Sequence, residues 1–477
     1  MTSVIEAAYL ALDDSRTEPL FRQIHGRIAQ AVLDGRLMPG ARLPSARSLA
    51  AQLATARGTV DAAYQLLAAE GYIVSRGAAG TMVDPALDRR LLKAARGTLA
   101  TTAGHQPAAA RAPSVLLFQM GVPALDGFPR KIWPRLIARR ARALRPVDHA
   151  YQSPAGCEEL RVQISRYLAV ARGVSCAPSQ VLITNGYQGA LGLITRALVK
   201  AGDTAWLEHP GYRNGQDGLC RAGIRPVGIP IDAEGFDVGA AVSKARPARI
   251  AFVTPTHQYP LGITMSLQRR MALLKWAQSA DAWIVEDDYD SEFRYQGKPL
   301  PALKSLDRNN RVLYVGTFSK VLSPGLRVGY LVLPPTLVDR FTEAAQFLQP
   351  PPAHLIQAAI AEFMEQGYLA RHIRRMRQLY AERRAALADA LAEQVPALSI
   401  ELKPGGMHLL ARLPRGTDDV KLVERLKEAG MGPSPLSTCG VERPYAPGLA
   451  IGFTNVETGK AKSVARRLGM AIKAAGS

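Results

Sequence analysis

The chain has 477 residues, and at roughly 150 residues per domain that implies two to four domains. Hydrophobic residues make up 47%, enough for a large core, which excludes global disorder. A net charge of +20 points to an anionic partner, nucleic acid first, beside the plainer reading of an Arg-rich composition.

The cysteines Cys157, Cys176, Cys220 and Cys439 lie far apart, with no CxxC pair or Cys/His cluster. No metal site is expected, and reduced thiols fit a cytoplasmic protein. The opening "MTSVIEAAYLALDDSRTEPL" lacks a basic start followed by an apolar run, so no signal peptide is expected. No apolar run approaches the length of about 18 residues that a membrane span needs.

Residues 1–84 read as short helices and a hairpin. In "LFRQIHGRIAQAVL", Leu20, Ile24, Ile28 and Val32 recur at helical spacing, and Gly35 stops the helix. A second helix starts in "LPSARSLAAQLA", with Ser45 as N-cap and Leu49 and Leu53 inward. A third, "GTVDAAYQLLAAEGY", turns Val60, Tyr64 and Leu67 inward and ends at Gly71. "YIVSRGAAGTMVD" then reads as a two-stranded wing. Helix, turn, helix and wing together make a major-groove reader.

This segment closely resembles the winged-helix domain of GntR-type transcription regulators. The resemblance implies that Arg42, Ser45, Arg47, Arg57 and Thr59 touch DNA, with Arg76 and the wing alongside. The residues agree with it. Ser45 opens a helix N-terminus, where backbone N–H groups and the dipole favour phosphate. Arg57 opens the recognition helix, where its guanidinium can fork onto guanine. Two features depart from the family: Ala56 stands where a capping Ser is usual, and the wing reads "RGAAG".

Residues 85–113 have linker composition, rich in Ala, Arg, Pro and Thr. From 114 to 474, strand-like runs alternate with helical patterns. The strand candidates are "QVLITNG", "TAWLEHP", "ARIAFVTP", "AWIVEDD", "VLYVGT" and "VGYLVLP". Such alternation predicts an α/β domain with a mostly parallel sheet, whose ligands sit at the carboxyl ends of the strands. A smaller subdomain is expected over approximately 350–474. Residues 1–84 carry eight arginines, no lysine and eight acids, so the surplus charge lies beyond them. It concentrates in "RKIWPRLIARRARALR" and "ARHIRRMRQLYAERR". Solvated helix faces are the default reading of these runs, and a basic track for flanking DNA is the bolder one.

"GTFSKVLSPGLRVGY" sets Lys320 between an apolar strand and a turn. A buried lysine amine loses its proton readily and can form a Schiff base with an aldehyde. Pyridoxal 5'-phosphate (PLP) is the common biological aldehyde of this kind, and the chain offers partners for each of its parts. Gly186, Tyr187 and Gln188 would present backbone N–H groups to a phosphate at a helix start, completed by Thr317, Ser319 and Arg327. Asp287 would face the ring nitrogen, Tyr289 the ring oxygen, and Tyr212 would stack on the ring. His257, Gln258 or Tyr259 would add polar contacts. Each residue alone is more often a core, cap or loop residue; the set is what carries the reading.

The order and wording resemble fold-type I aminotransferases and, more closely, the MocR subfamily of GntR regulators, in which a winged helix is fused to an aminotransferase-like domain. "TPTHQYPLGITMS", "IVEDDYDSEFRY", "TFSKVLSPGLRVGY" and "HIRRMRQLYAERR" carry the likeness. It implies that Lys320 anchors PLP, with Asp287, Tyr289, Tyr212, Arg327, Thr317 and Ser319 in the roles above. It also implies a head-to-tail, domain-swapped homodimer. One departure bears on the ligand. Aminotransferases commonly clamp a substrate carboxylate with an arginine in a C-terminal segment, where this chain reads "PGLAIGFTNV". Leu449, Ala450 and Ile451 occupy that neighbourhood, so any clamp must come from elsewhere, with Arg213, Arg221 and Arg443 as candidates.

The expected function is a PLP-dependent, DNA-binding transcription regulator. In it, an amine or amino-acid-like effector, or PLP itself, is sensed at Lys320 rather than turned over. The alternatives are a working aminotransferase with an accessory DNA-binding domain, and a DNA-binding protein whose large domain has lost its cofactor.

Overall fold

The computed structural model describes residues 12, 18–77, 80–87, 115–244, 247–297, 300–348 and 350–476. Most of the expected linker (88–113) and the wing tip (78–79) lie outside the described residues. The chain divides into two compact units, 1–114 and 115–477.

The first unit is three helices and a hairpin. Helix α1 (Leu20–Leu33) buries Ile24, Ile28 and Val32 completely, as its spacing predicts. Helix α2 (Ala46–Gln52) is capped by Ser45, whose Oγ accepts the Ser48 N–H at 3.1 Å. Helix α3 (Arg57–Ala69) packs Val60, Ala63, Tyr64 and Leu67 against the other two. The Tyr64 hydroxyl donates to the Pro44 carbonyl at 2.8 Å, pinning α3 to the entry of α2. Strands β1 (Ile73–Ser75) and β2 (Thr81–Val83) form the antiparallel wing. Arg42 adds a bridge to Met82, so the chain before α2 joins the wing as a third segment.

The second unit is built on an eight-stranded sheet. Its strands are β3 (Val181–Thr184), β4 (Thr204–His209), β5 (Arg225–Asp232), β6 (Gly235–Phe236), β7 (Ile250–Val253), β8 (Trp283–Asp288), β9 (Val312–Thr317) and β10 (Gly329–Val332). The order across the sheet is β3-β10-β9-β8-β7-β4-β5-β6. The pairs β9-β8, β8-β7, β7-β4 and β4-β5 are parallel, whereas β10 runs against both neighbours and β6 against β5. All six strand candidates form strands. The patterning missed β5, whose "RPVGIPID" holds two prolines and is partly exposed. It lies near the sheet edge, where a missing N–H is tolerated.

Alternate residues of β8 enter different cores. Ile284 packs with Trp206, Leu273 and Trp276, and Val285 with Leu191, Ile194 and Phe341. Helices therefore cover both faces, and the central strands read as unbroken apolar runs.

A smaller antiparallel sheet follows, of β11 (Ser399–Glu401), β12 (His408–Arg412), β13 (Ser434–Pro435) and β14 (Gly448–Gly452), in the order β11-β12-β14-β13. The helices Tyr368–Gln394 and Ala461–Gly476 pack with it, and one continuous core joins it to the large sheet. Leu117 bridges to Met431, and Gly452 N–H donates to the Phe118 carbonyl at 3.0 Å. The small subdomain thus recruits residues from the start of its own unit, in addition to the stretch from 350 onward. Such a pairing spans most of the unit and leaves no local trace in sequence.

The two arginine-rich runs are spent largely on internal ties. Arg139 and Arg140 pair with Glu362, and Arg383 with Asp126 and the Thr454 carbonyl. Arg375 donates to the Gly127 carbonyl, Arg377 to that of Glu292, and Arg384 to that of Lys403. The phrase "HIRRMRQLYAERR" is thereby explained as stitching between the long helix and its surroundings.

Candidate functional site

The parallel strands deliver their following residues to one edge of the sheet. Gly186 follows β3, Tyr212 follows β4, Thr254–Gln258 follow β7, Tyr289 follows β8, and Lys320 follows β9. Strand β10 enters at the same edge, because Gly329 lies opposite both Thr317 and Thr184. That register sets Arg327 beside the ends of β3 and β9.

Lys320 Nζ donates to the Gly121 carbonyl at 2.8 Å. Burial pushes its pKa below the usual lysine value, against the opposing pull of Asp290 and Asp287. Burial also pushes the Asp287 carboxyl up to about 8, with Asp288 adding to the rise and Lys320 opposing it. A half-buried amine and a half-buried acid therefore share the site, each disfavoured in its charged form by desolvation.

Tyr289 is held by His257, whose Nδ1 lies 3.1 Å from the Tyr289 hydroxyl and 3.1 Å from the Asp290 carboxylate. His408 extends the cluster, with its ring centroid 5.7 Å from that of His257 and its Nε2 donating to the Pro260 carbonyl at 2.7 Å. Burial, followed by the His257 field, pushes His408 down to about 4, so it is neutral.

Tyr212 meets Tyr187 and Tyr259 edge to face, with centroids 5.6 Å apart in each pair. A cavity of about 40 Å³ opens among Tyr187, Glu208, Tyr212, Thr254 and Asp287. Glu208 is buried at its wall, accepting from Thr254 N at 2.9 Å, and desolvation pushes it up to about 7.

The helix Gly186–Leu198 begins the cradle that the glycine turn predicts. Gly186 has φ +71°, and a Cβ there would lie 3.4 Å from the Arg327 guanidinium. Arg327 Nη2 donates to the Asn185 carbonyl at 3.1 Å. The start of this helix and the Arg327 guanidinium therefore lie side by side. The Gln188 side chain is exposed, so only its backbone can serve the expected cradle. Thr317 Oγ1 accepts the Ser319 N–H at 3.1 Å beside it.

The Gln258 side chain donates to Glu208 Oε2 at 3.2 Å and to the Pro210 carbonyl at 2.8 Å, and accepts from Leu261 N at 3.0 Å. Gly121, Glu208, Asp290 and His408 were missed as site residues. Only Asp290 had a local signal, as the residue next to Tyr289 at the end of β8; the rest arrive through tertiary contact.

In the first unit, Arg42, Ser45, Arg47, Arg57 and Arg76 are exposed and Thr59 is half-buried. Arg57 forms an ion pair at 3.3 Å with Asp61, one turn on. Ala56 leaves α3 without a side-chain cap, as the sequence implies. Among the described residues, no group of three or more His, Cys, Asp or Glu is arranged to hold a metal ion. No helix among them is long and apolar enough to cross a membrane.

Residues 20–83 match the family described as bacterial regulatory proteins, gntR family. Residues 115–468 match aminotransferase class I and II. The chain is 38% identical over 459 residues to the probable rhizopine catabolism regulatory protein MocR of Rhizobium meliloti, covering 94% of this chain and 92% of that one. The chain belongs to the MocR-type regulators of the GntR family. Like them it is a DNA-binding transcription regulator. It is also 33% identical over 430 residues to the pyridoxine biosynthesis transcriptional regulator PdxR of Corynebacterium glutamicum, covering 90% of each chain. Among solved structures, it is similar to an α-aminoadipate aminotransferase of Thermus thermophilus, complexed with N-(5'-phosphopyridoxyl)-L-leucine. That match has TM-score 0.70 and 29% identity, over 76% of this chain and 92% of that one. The MocR-type architecture, a winged helix joined to an aminotransferase fold, accounts for both units.

Proposed function

We propose that this MocR-type regulator binds pyridoxal 5'-phosphate at Lys320 and reads a primary amine there. The observation that carries this reading is the half-buried Lys320 amine, held 2.8 Å from the Gly121 carbonyl beside Asp287. The residues fit the cofactor. Gly186, at φ +71°, brings a helix start beside the Arg327 guanidinium, and desolvation disfavours the anionic form of Asp287, with Lys320 opposing. When bound, PLP supplies an aldehyde that captures a primary amine.

In this reading Lys320 is the resident nucleophile, its pKa lowered by burial against the opposing pull of Asp290 and Asp287. Gly186, Tyr187 and Gln188 offer backbone N–H groups to the phosphate, and Arg327, Thr317 and Ser319 complete that end. Asp287 becomes a carboxylate once a protonated ring nitrogen faces it. Tyr289 donates to the ring oxygen, steered by His257 and Asp290, and Tyr212 covers the ring. An amine bound at this site would compete with Lys320, and Asp287 and Asp290 would stabilise whichever amine there carries a proton. The amine can shift the protein only through such differential contacts.

The DNA side rests on Arg42, Ser45, Arg47, Arg57, Thr59 and Arg76 of the winged helix. We assign residues 1–84 to the reader, 85–113 to a linker and 114–474 to the sensor. Two chains paired head to tail in the cytoplasm would present two readers to one operator.

The test is direct. Protein incubated with PLP should gain visible absorbance, and borohydride reduction followed by peptide mapping should place the label on Lys320. Protein that stays colourless, or a label that survives Lys320→Ala, would end the reading. Sustained keto-acid production from an amino donor would instead favour an enzyme. Footprinting of DNA upstream of its own gene, with and without amine, tests the regulatory half.

A further inference from the structure

The C-terminal segment "PGLAIGFTNV" lacks an arginine but holds Thr454 and Asn455 just after β14. Both side chains close on residues 122–125, the stretch that follows Gly121. Thr454 Oγ1 donates to the Val122 carbonyl at 2.5 Å. Asn455 Nδ2 donates to the Val122 and Pro123 carbonyls at 3.1 and 2.9 Å, and its Oδ1 accepts the Leu125 N–H at 3.1 Å. The long helix adds Tyr380, whose hydroxyl accepts the Ala124 N–H at 2.8 Å, and Arg383, whose guanidinium joins Asp126 to the Thr454 carbonyl. Before Gly121, the Phe118 carbonyl accepts the Gly452 N–H at 3.0 Å. Residues 118–126 are thus a strap tied at both ends to the small subdomain.

The middle of this strap reaches the large sheet. The Gly121 carbonyl accepts from Lys320 Nζ at 2.8 Å, and the carbonyl gripped by Thr454 and Asn455 belongs to the very next residue. Of two consecutive carbonyls, one meets the Lys320 amine and the other meets the small subdomain. Thr454 and Tyr380 are buried, so water does not replace their bonds. An asparagine suits the grip because one end of its amide donates to two carbonyls while the other accepts an N–H. An aspartate there would turn the two attractions into repulsions.

We propose that Asn455 and Thr454 are positioning residues for Lys320: they hold the strap from the small subdomain so that the Gly121 carbonyl meets the amine, and they thereby tie the small subdomain to whatever engages Lys320. The placing of the amine follows from the hydrogen bonds; its consequence for PLP rests on the cofactor reading above. The coupling is reciprocal, so a change at the lysine must also be felt by the strap.

The test compares wild-type protein with Lys320→Met, Asn455→Asp, Thr454→Val and Thr454→Ser. Hydrogen–deuterium exchange is followed on the peptide that covers the strap in cofactor-free protein, and PLP binding is followed by absorbance titration. Lys320→Met replaces the amine by a thioether of similar length, and it should speed exchange of the strap by about threefold or more. Asn455→Asp and Thr454→Val should weaken PLP binding by about three- to tenfold, whereas Thr454→Ser, which keeps the donor, should stay within about twofold of wild type. If Asn455→Asp does not fold, Thr454→Val, which keeps the shape, decides alone. Strap exchange unmoved by Lys320→Met overturns the inference, as does PLP binding in Thr454→Val equal to that in Thr454→Ser. Wild-type protein that takes up no PLP overturns the cofactor reading instead, and the exchange measurement then decides the positioning by itself.

Discussion

Lys320 Nζ and the Gly121 carbonyl, 199 residues apart in sequence, lie 2.8 Å from each other. Gly121 adopts φ +72°, and a Cβ on it would collide with the lysine amine. Gly121→Ala should therefore displace Lys320 as well as strain the backbone by about 1–2 kcal/mol. The expected result is PLP uptake weakened by more than the loss in thermal stability accounts for. Wild-type uptake in an absorbance titration would show that the contact is incidental.

The cofactor-free protein should lose stability as pH rises from about 6.5 to 8, above the range in which the lowered His372 and His408 oppose the buried acids. Burial pushes Glu208, Glu286 and Glu292 up to about 7 and Asp287 up to about 8, from ordinary values of 4.5 and 3.8. Across that window the folded chain holds protons that the unfolded chain has released. The stabilisation is complete below the ordinary values and disappears as pH passes the raised ones. Each net proton contributes about 1.4 kcal/mol per pH unit to the slope. Asp287→Asn should lessen the slope, and PLP should protect most at the alkaline end. Denaturant unfolding across this range, showing a flat or rising stability, would contradict the buried-acid account.

Arg57 and Arg47 should differ in kind. Arg57 opens the recognition helix, so Arg57→Ala should weaken operator binding by about 1–3 kcal/mol and relax base preference. Arg47→Ala should weaken binding to all sequences and reduce the salt slope by about 0.9 for one lost phosphate. Fluorescence anisotropy at several salt concentrations separates the two, and identical behaviour would undo the assignment.

Ala56→Ser restores an oxygen at the uncapped start of α3. The reader should gain about 0.5–1 kcal/mol in thermal or denaturant unfolding. No gain would mean that the uncapped N–H groups are satisfied by other partners.

Arg383 is buried and joins Asp126 and the Thr454 carbonyl to the long helix. Asp126 is itself largely exposed, so its loss of a partner is cushioned by water. Arg383→Ala should cost about 1–3 kcal/mol, chiefly through the buried carbonyl and lost packing. A melting temperature equal to that of the wild type would show that the tie is dispensable.

Local sequence determined the helices of the reader and six strands of the large sheet, and pointed to the set around Lys320. Each of these is written in short-range spacing: apolar residues at i and i+4, glycine where φ turns positive, a lysine trapped between a strand and a turn. Tertiary structure alone decided that Gly121 meets Lys320, that Asp290 braces His257, that Gln258 reaches Glu208 and Pro210, and that Ala450 shares a face with His408. Those pairings depend on strand register and on a small sheet assembled from distant segments. A polar atom's partner within one turn or hairpin is read from spacing, whereas a partner a hundred residues away is chosen by the packing of the whole unit.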